Sequence, residues 1–148
     1  HFITIGFGDM NIKKLVIENN VDHKFTIFDK MNRLQIRTFL NMSDIFCLPS
    51  KYTEDEGSEG IPVSIMEAMA MGLPIITTDD GSITELVDNY IIKQASPVDL
   101  AKKIKSIGQE IAKFKRKKIY KNNKDIVRTK HNLKNINNLL TFFNNVKK

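Results

Sequence analysis

A chain of 148 residues, 41% hydrophobic and 27% charged, has the composition of a soluble globular protein long enough to bury a core of its own. Its one cysteine, Cys47, excludes an internal disulfide, and no apolar run reaches the roughly 18–20 residues of a membrane-spanning helix. A cytoplasmic protein is therefore expected. The formal charge of +6 is unevenly placed: residues 1–112 hold 11 Lys/Arg against 16 Asp/Glu, whereas residues 113–148 hold 12 against Asp125 alone.

The predicted elements alternate along the chain. "HFITIGFG" is a short β-prone run ended by glycines. It opens inside what reads as a strand, so a fragment or the tail half of a longer protein is expected. "MNIKKLVIENN" sets Ile12, Leu15 and Val16 at helical spacing and stops at Asn19–Asn20. "KFTIF" reads as a second strand. "RLQIRTFLNM" reads as an amphipathic helix with Leu34, Ile36, Phe39 and Leu40 inward. "DIFCLPS" is a continuous apolar run, the pattern of a strand covered on both faces, which places Cys47 in the core.

After an acidic, Gly-containing loop at residues 50–60, "IPVSIMEAMAMG" predicts a helix with Pro62 at its first position and Gly72 at its end. "LPIITT" is a fourth strand, and "SITELVDN" a short helix capped by Ser82. "YIIKQ" is a fifth strand, and "SPVDLAKKIKSIGQEI" a helix capped by Ser96 with Pro97 first. The Lys- and Asn-rich remainder reads as closing helices. The expected division is residues 1–112 as an α/β domain and 113–148 as basic helices packing on it or extending it.

Five strands alternating with helices predict a Rossmann-like parallel sheet with helices on both faces. Ligands of such sheets bind beyond the carboxyl ends of the strands, here the loops Gly6–Met10, Asp29–Arg33, Ser50–Gly60 and Thr78–Ser82. The third loop leads into the most informative stretch. A helix starting near Pro62 leaves its first N–H groups unpaired, with partial positive charge suited to a phosphate. Gly60, just before it, permits close approach of an anion to the backbone. Glu59 and Glu67 flank that mouth, and a carboxylate accepts from two neighbouring sugar hydroxyls. From spacing alone the acids are equally an exposed helix position and a loop charge.

"SEGIPVSIMEAMAMGLPIITTDDGSITELV" resembles the signature of the group 1 (family 4) glycosyltransferases of GT-B fold, with Glu59 and Glu67 in its two acidic places. "GFGDM", "SDIFCLPS" and "PVDLAKKI" are similar to the family's flanking segments, so the likeness spans about residues 1–108. It implies a donor-binding, C-terminal GT-B domain of a retaining enzyme that transfers a hexosyl unit from a nucleotide diphosphate-sugar to a polysaccharide or lipid-linked acceptor. By resemblance Glu59 is the catalytic-site acid that meets the donor sugar. Main chain at Gly60, Ile61, Pro62 and Val63 faces sugar and diphosphate, and Glu67 binds the ribose. The base lies near Asp29–Arg33, with Lys30 and Met31 as contacts, and Gly8 lines the donor.

The resemblance implies no bound metal and no cofactor beyond the UDP- or GDP-linked sugar that is the substrate. The Arg and Lys that neutralise the diphosphate in the family, and the N-terminal acceptor domain, are not among these residues; the chain alone is expected to be inactive. Where the family usually has Gly after the second of these strands, this sequence has Asp29. A reading from another class is a non-catalytic Rossmann-like remnant whose basic tail, residues 113–148, binds anionic membrane or nucleic acid. Phe114 and Tyr120 are the only aromatics among the tail's clustered lysines, which argues against nucleic acid; the resemblance implies work at the inner membrane face, where the tail's charge suits peripheral contact with anionic lipid.

Overall fold

The computed structural model describes residues 1–6, 11–50, 62–79, 83–87, 91–114 and 121–130. Among these residues, five strands and six α-helices follow in the order β1 (Phe2–Ile5), α1 (Ile12–Glu18), β2 (Phe25–Phe28), α2 (Arg33–Met42), β3 (Phe46–Leu48), α3 (Val63–Ala70), β4 (Ile75–Thr78), α4 (Ile83–Leu86), β5 (Ile91–Ile92), α5 (Pro97–Phe114) and α6 (Lys121–Lys130). All strand pairs are parallel. The strands form two sheets, β1-β2 and β3-β4-β5. The chain likewise divides into two compact units, His1–Phe39 and Leu40–Lys148.

In the first unit, Phe2 pairs with Phe25 and their rings stack with centroids 5.0 Å apart. Asn11 caps α1 by accepting from the Lys14 N–H at 3.0 Å. The helix stops where expected. Asn20 takes φ 55°, and the N–H groups of Asn20 and Val21 donate back to Ile17 and Val16, a left-handed closing turn that asparagine tolerates. Along α2, Ile36, Phe39 and Leu40 are half-buried, but Leu34 is 72% exposed. The expected inward placement of Leu34 is thereby corrected. The 3.6-residue period puts it on the far side of the stripe that the other three make.

The second unit holds the main core. Successive residues of β4 serve opposite faces, as a strand requires. Ile75 joins Ile65, Ala68, Met69 and Leu73, together with Ile83 and Leu86 of α4. Ile76 instead meets Ile92 and Ile107, with Leu100, Ile104 and Ile111 of α5 packed around them. Every residue of β4 is buried, so this strand carries helices on both faces, the reason parallel strands read as unbroken apolar runs. Helix α6 adds Ile126 and Val127 to the first cluster, and the Asn123 side-chain amide donates to the Leu73 carbonyl at 2.7 Å. Among the described residues no helix is long and apolar enough to cross a membrane.

Cys47 is exposed, which corrects its expected place in the core. It neighbours Ile76 across the sheet, but α5 lies over β4 and β5 and β3 is on the opposite side of β4. Two features then pull in opposite directions. The residue as a whole is exposed, whereas protein atoms crowding its sulfur desolvate the thiolate and raise the thiol from 9.0 to about 11. Reactivity follows the sulfur. A raised thiol stays protonated at neutral pH, so alkylation by iodoacetamide should be slow there and should climb with pH beyond the range of an ordinary thiol. A rate profile that levels off near the unshifted value of 9.0 would show the sulfur to be as solvated as a free cysteine.

Candidate functional site

The expected site residues lie on α3 and on the loops named from the sequence. Helix α3 begins at Val63, one residue later than the sequence suggests, and Pro62 is its N-cap with φ −65° and ψ 133°. The extended ψ takes Pro62 out of the helix, while its carbonyl already accepts from the Ile65 and Met66 N–H groups at 3.1 and 3.4 Å. No side chain caps this end. Among the described residues, the N–H groups of Val63 and Ser64 meet no acceptor. They are the kind of unpaired donors that give a helix start its affinity for anions.

The apolar residues of α3 explain where its acid goes. Ile65, Ala68 and Met69 are buried. Val63 and Glu67, four residues apart and so on one side of the helix, are both exposed. At a rise of about 1.5 Å per residue, Glu67 stands about 6 Å along the axis from the first helical residue. Its carboxylate is thus held on the solvent side, one turn from the open N–H groups.

The far end of α3 is closed tightly. Gly72 adopts φ 74°, its N–H donates to Met69 at 2.8 Å, and the Leu73 N–H reaches Ala68 at 3.1 Å. This is the paired closure for which glycine is favoured. It aims the chain directly into β4. Two residues of β4, Thr77 and the Thr78 that opens one of the expected ligand loops, then tie β4 to the end of β3. The Thr77 hydroxyl donates to the Leu48 carbonyl at 3.0 Å, and that of Thr78 to the Ser50 carbonyl at 2.6 Å. Both threonines are buried, so these bonds satisfy hydroxyls that burial would otherwise penalise. They also fasten the carboxyl end of β3, from which the acidic loop departs. The signal was the change from Ile to Thr at the end of "LPIITT".

The loop assigned to the base lies in the first unit. Lys30 is exposed and Met31 half-buried. Asp29, standing where the family has Gly, is absent from the positive-φ residues, so a side chain is tolerated there without strain. Its ion pair with Lys13, at 3.7 Å and with both side chains more than half exposed, adds little. A firmer constraint follows it. The Asn32 side chain accepts from the Gln35 N–H at 2.9 Å, and the Gln35 side chain accepts from the Asn32 N–H at 2.9 Å. This reciprocal cap fixes the start of α2 and so the end of the loop. Asn-x-x-Gln spacing ahead of a periodic run was its sequence signal.

Of the sequence-predicted site residues, the structure thus places Pro62, Val63 and Glu67 together on α3, and Lys30 and Met31 on the loop after β2. Gly8, Glu59, Gly60 and Ile61 lie outside the described residues, as do Asp80, Gly81 and the expected cap Ser82.

An exposed acid beside an open helix start becomes informative once the whole segment is compared with known proteins. The sequence profile of the family described as "Glycosyl transferases group 1" matches residues 2–126. The chain belongs to that family. Its relatives include the amylovoran biosynthesis glycosyltransferase AmsK of Erwinia amylovora, 32% identical over 65% of this chain and 24% of the relative. The putative colanic acid biosynthesis glycosyltransferase WcaL of Escherichia coli K12 is 34% identical over 51% and 20%. The putative teichuronic acid biosynthesis glycosyltransferase TuaC of Bacillus subtilis 168 is 30% identical over 59% and 20%. This group 1 glycosyltransferase chain therefore spans about a quarter or less of the length of the curated relatives it matches.

Proposed function

We propose that the chain is the donor-binding portion of a retaining, GT-B-type glycosyltransferase that moves a hexosyl unit from a nucleotide diphosphate-sugar to a polysaccharide or lipid-linked acceptor at the inner face of the membrane. One observation carries this reading: Glu67 stands on the solvent side of α3, one turn from its uncapped start. A diphosphate at that start meets N–H donors and the positive end of the helix dipole. A ribose attached to it lies within reach of a carboxylate about 6 Å further on, which accepts from its two hydroxyls. The sugar at the other end of the diphosphate belongs to Glu59 and the backbone of Gly60 and Ile61, and the base to the loop of Lys30 and Met31. Family membership and relatives named for polysaccharide biosynthesis support the same assignment.

Chemistry in this reading needs no step by a metal. The departing diphosphate is stabilised by N–H donors already oriented toward it, a form of electrostatic preorganisation, and by cations outside these residues. The acceptor-binding portion also lies outside them, so the chain by itself binds donor without transferring it. Calorimetric titration with UDP, GDP and their hexose conjugates tests the proposal. Saturable binding of one nucleotide series, with no release of diphosphate in the presence of acceptor glycan, is the expected result. A chain that is folded by circular dichroism yet binds neither series would overturn it.

A further inference from the structure

We infer that Asn123 of α6 is a positioning residue for the donor site, acting on it through α3; the inference rests on the donor reading of that helix. Helix α3 is eight residues long, too short to hold its own place in water, and no side chain caps its start. Its seat is therefore set by what lies behind it. Ile65, Ala68 and Met69 form that buried back, and α6 lies against α3, with Ile126 and Val127 packed on the cluster that holds these three residues.

The composition of α6 makes Asn123 the deciding contact. In its sequence, KNNKDIVRTK, Ile126 and Val127 are the only apolar residues. Apolar attraction is non-directional, so two such side chains hold α6 to the core without fixing where along α3 it sits. Asn123 stands on the same face, at i, i+3, i+4 spacing with them. Its amide donates to the Leu73 carbonyl at 2.7 Å, across fifty residues of sequence, and a hydrogen bond weakens steeply once its geometry is lost. Leu73 is the corner where α3 turns into β4. Its N–H closes the helix onto Ala68, and its side chain is fully buried in the same cluster. One directional bond thus pins α6 to that corner and places Ile126 and Val127 behind α3. The opposite, exposed side of α3 carries Val63 and Glu67, and the open N–H groups lie at its start. A short helix shifts as a unit, so these donors and the carboxylate keep their places only while the back is held.

Calorimetric titration of the full chain with UDP and GDP, at a temperature where each variant is folded by circular dichroism, reads the effect. Asn123→Leu roughly keeps the side-chain shape and removes the amide. It should weaken the nucleotide that the native chain binds by about fivefold or more, the scale on which a residue tunes a site it does not touch. If that variant does not fold, Asn123→Ser, whose side chain is too short to reach the carbonyl, carries the same expectation. Ile107→Val controls for stability. Ile107 is 0% exposed in the cluster on the other face of β4, so its truncation loosens the core without touching the seat of α3, and affinity should stay within about twofold. Amide NMR without ligand adds a signature: the Asn123 variant should move the signals of residues 63–67, and Ile107→Val should not. Unchanged affinity in a folded Asn123 variant, an equal loss in Ile107→Val, or signals of 63–67 that stay in place would overturn the inference and leave the donor reading intact. A native chain that binds neither nucleotide would overturn the donor reading and this role with it.

Discussion

Leu73→Ala should destabilise the second unit by about 2–5 kcal/mol, the cost of deleting a fully buried leucine side chain and leaving a cavity. Leu73 is 0% exposed and lies in the cluster that joins α3, β4 and α4. Its backbone is committed as well: the N–H closes α3 onto Ala68, and the carbonyl accepts from Asn123 of α6. The surroundings are therefore held from three sides and have little freedom to collapse into the gap. Against a typical total of about 5–15 kcal/mol, such a loss moves a urea midpoint far. Leu73→Met, which nearly conserves volume, should cost less than about 1.5 kcal/mol. Equilibrium urea unfolding followed by far-UV circular dichroism measures both. Similar midpoints for the alanine and methionine variants would mean that packing around Leu73 is looser than its burial indicates.

The second large effect separates the two acids of the site. Glu67 is proposed to bind the ribose and Glu59 the transferred sugar, each by accepting from hydroxyls. Glutamine keeps the shape and removes the charge, and a hydrogen bond to a charged group contributes roughly 1.5–3 kcal/mol, or about 10- to 150-fold in affinity. Glu67→Gln should weaken a bare nucleoside diphosphate and its sugar conjugate by similar factors, because both carry the ribose. Glu59→Gln should weaken only the conjugate. Glu67 is exposed on α3 and absent from the buried core, so its substitution leaves the fold intact and the four affinities report on binding. If Glu59→Gln weakened the bare nucleotide as much as the conjugate, the two roles would be wrongly assigned.

The lone acid of α3 shows how sequence and structure divide the explanation. Glutamate among Ile65, Met66, Ala68 and Met69 looks anomalous in a linear reading. On the helix it belongs with Val63 on the exposed side, while the buried positions turn the other way. Periodicity and stop signals are local, and they were legible. The alternation of strands and helices follows from them, as do the ends of α1 at Asn19–Asn20 and of α3 at Gly72. The start of α5 follows too: the Asp99 N–H donates to the Ser96 side chain at 3.3 Å. The family motif was equally legible, since it depends on residue types at fixed spacing.

What required the tertiary structure concerns partners distant in sequence. A strand pattern states that both faces are apolar but not which strand lies alongside; the parallel, helix-flanked architecture is as expected, and only the packed chain gives the pairings β1-β2 and β3-β4-β5. Cys47 sits in an apolar run but on the part of β3 that α5 does not cover. Thr77 and Thr78 tie β4 to the end of β3 only because the carbonyls of Leu48 and Ser50, nearly thirty residues earlier, lie beside them. Lys102 and Lys103 of α5 share a cleft with Ile91 and Ile92 only because β5 runs past that helix. The sequence alone determines helical and strand periods, caps and the identity of the motif, because these depend on neighbours within a turn or two. Burial, hydrogen-bond partners and charge clustering depend on which distant segments meet, and only the packed chain decides that.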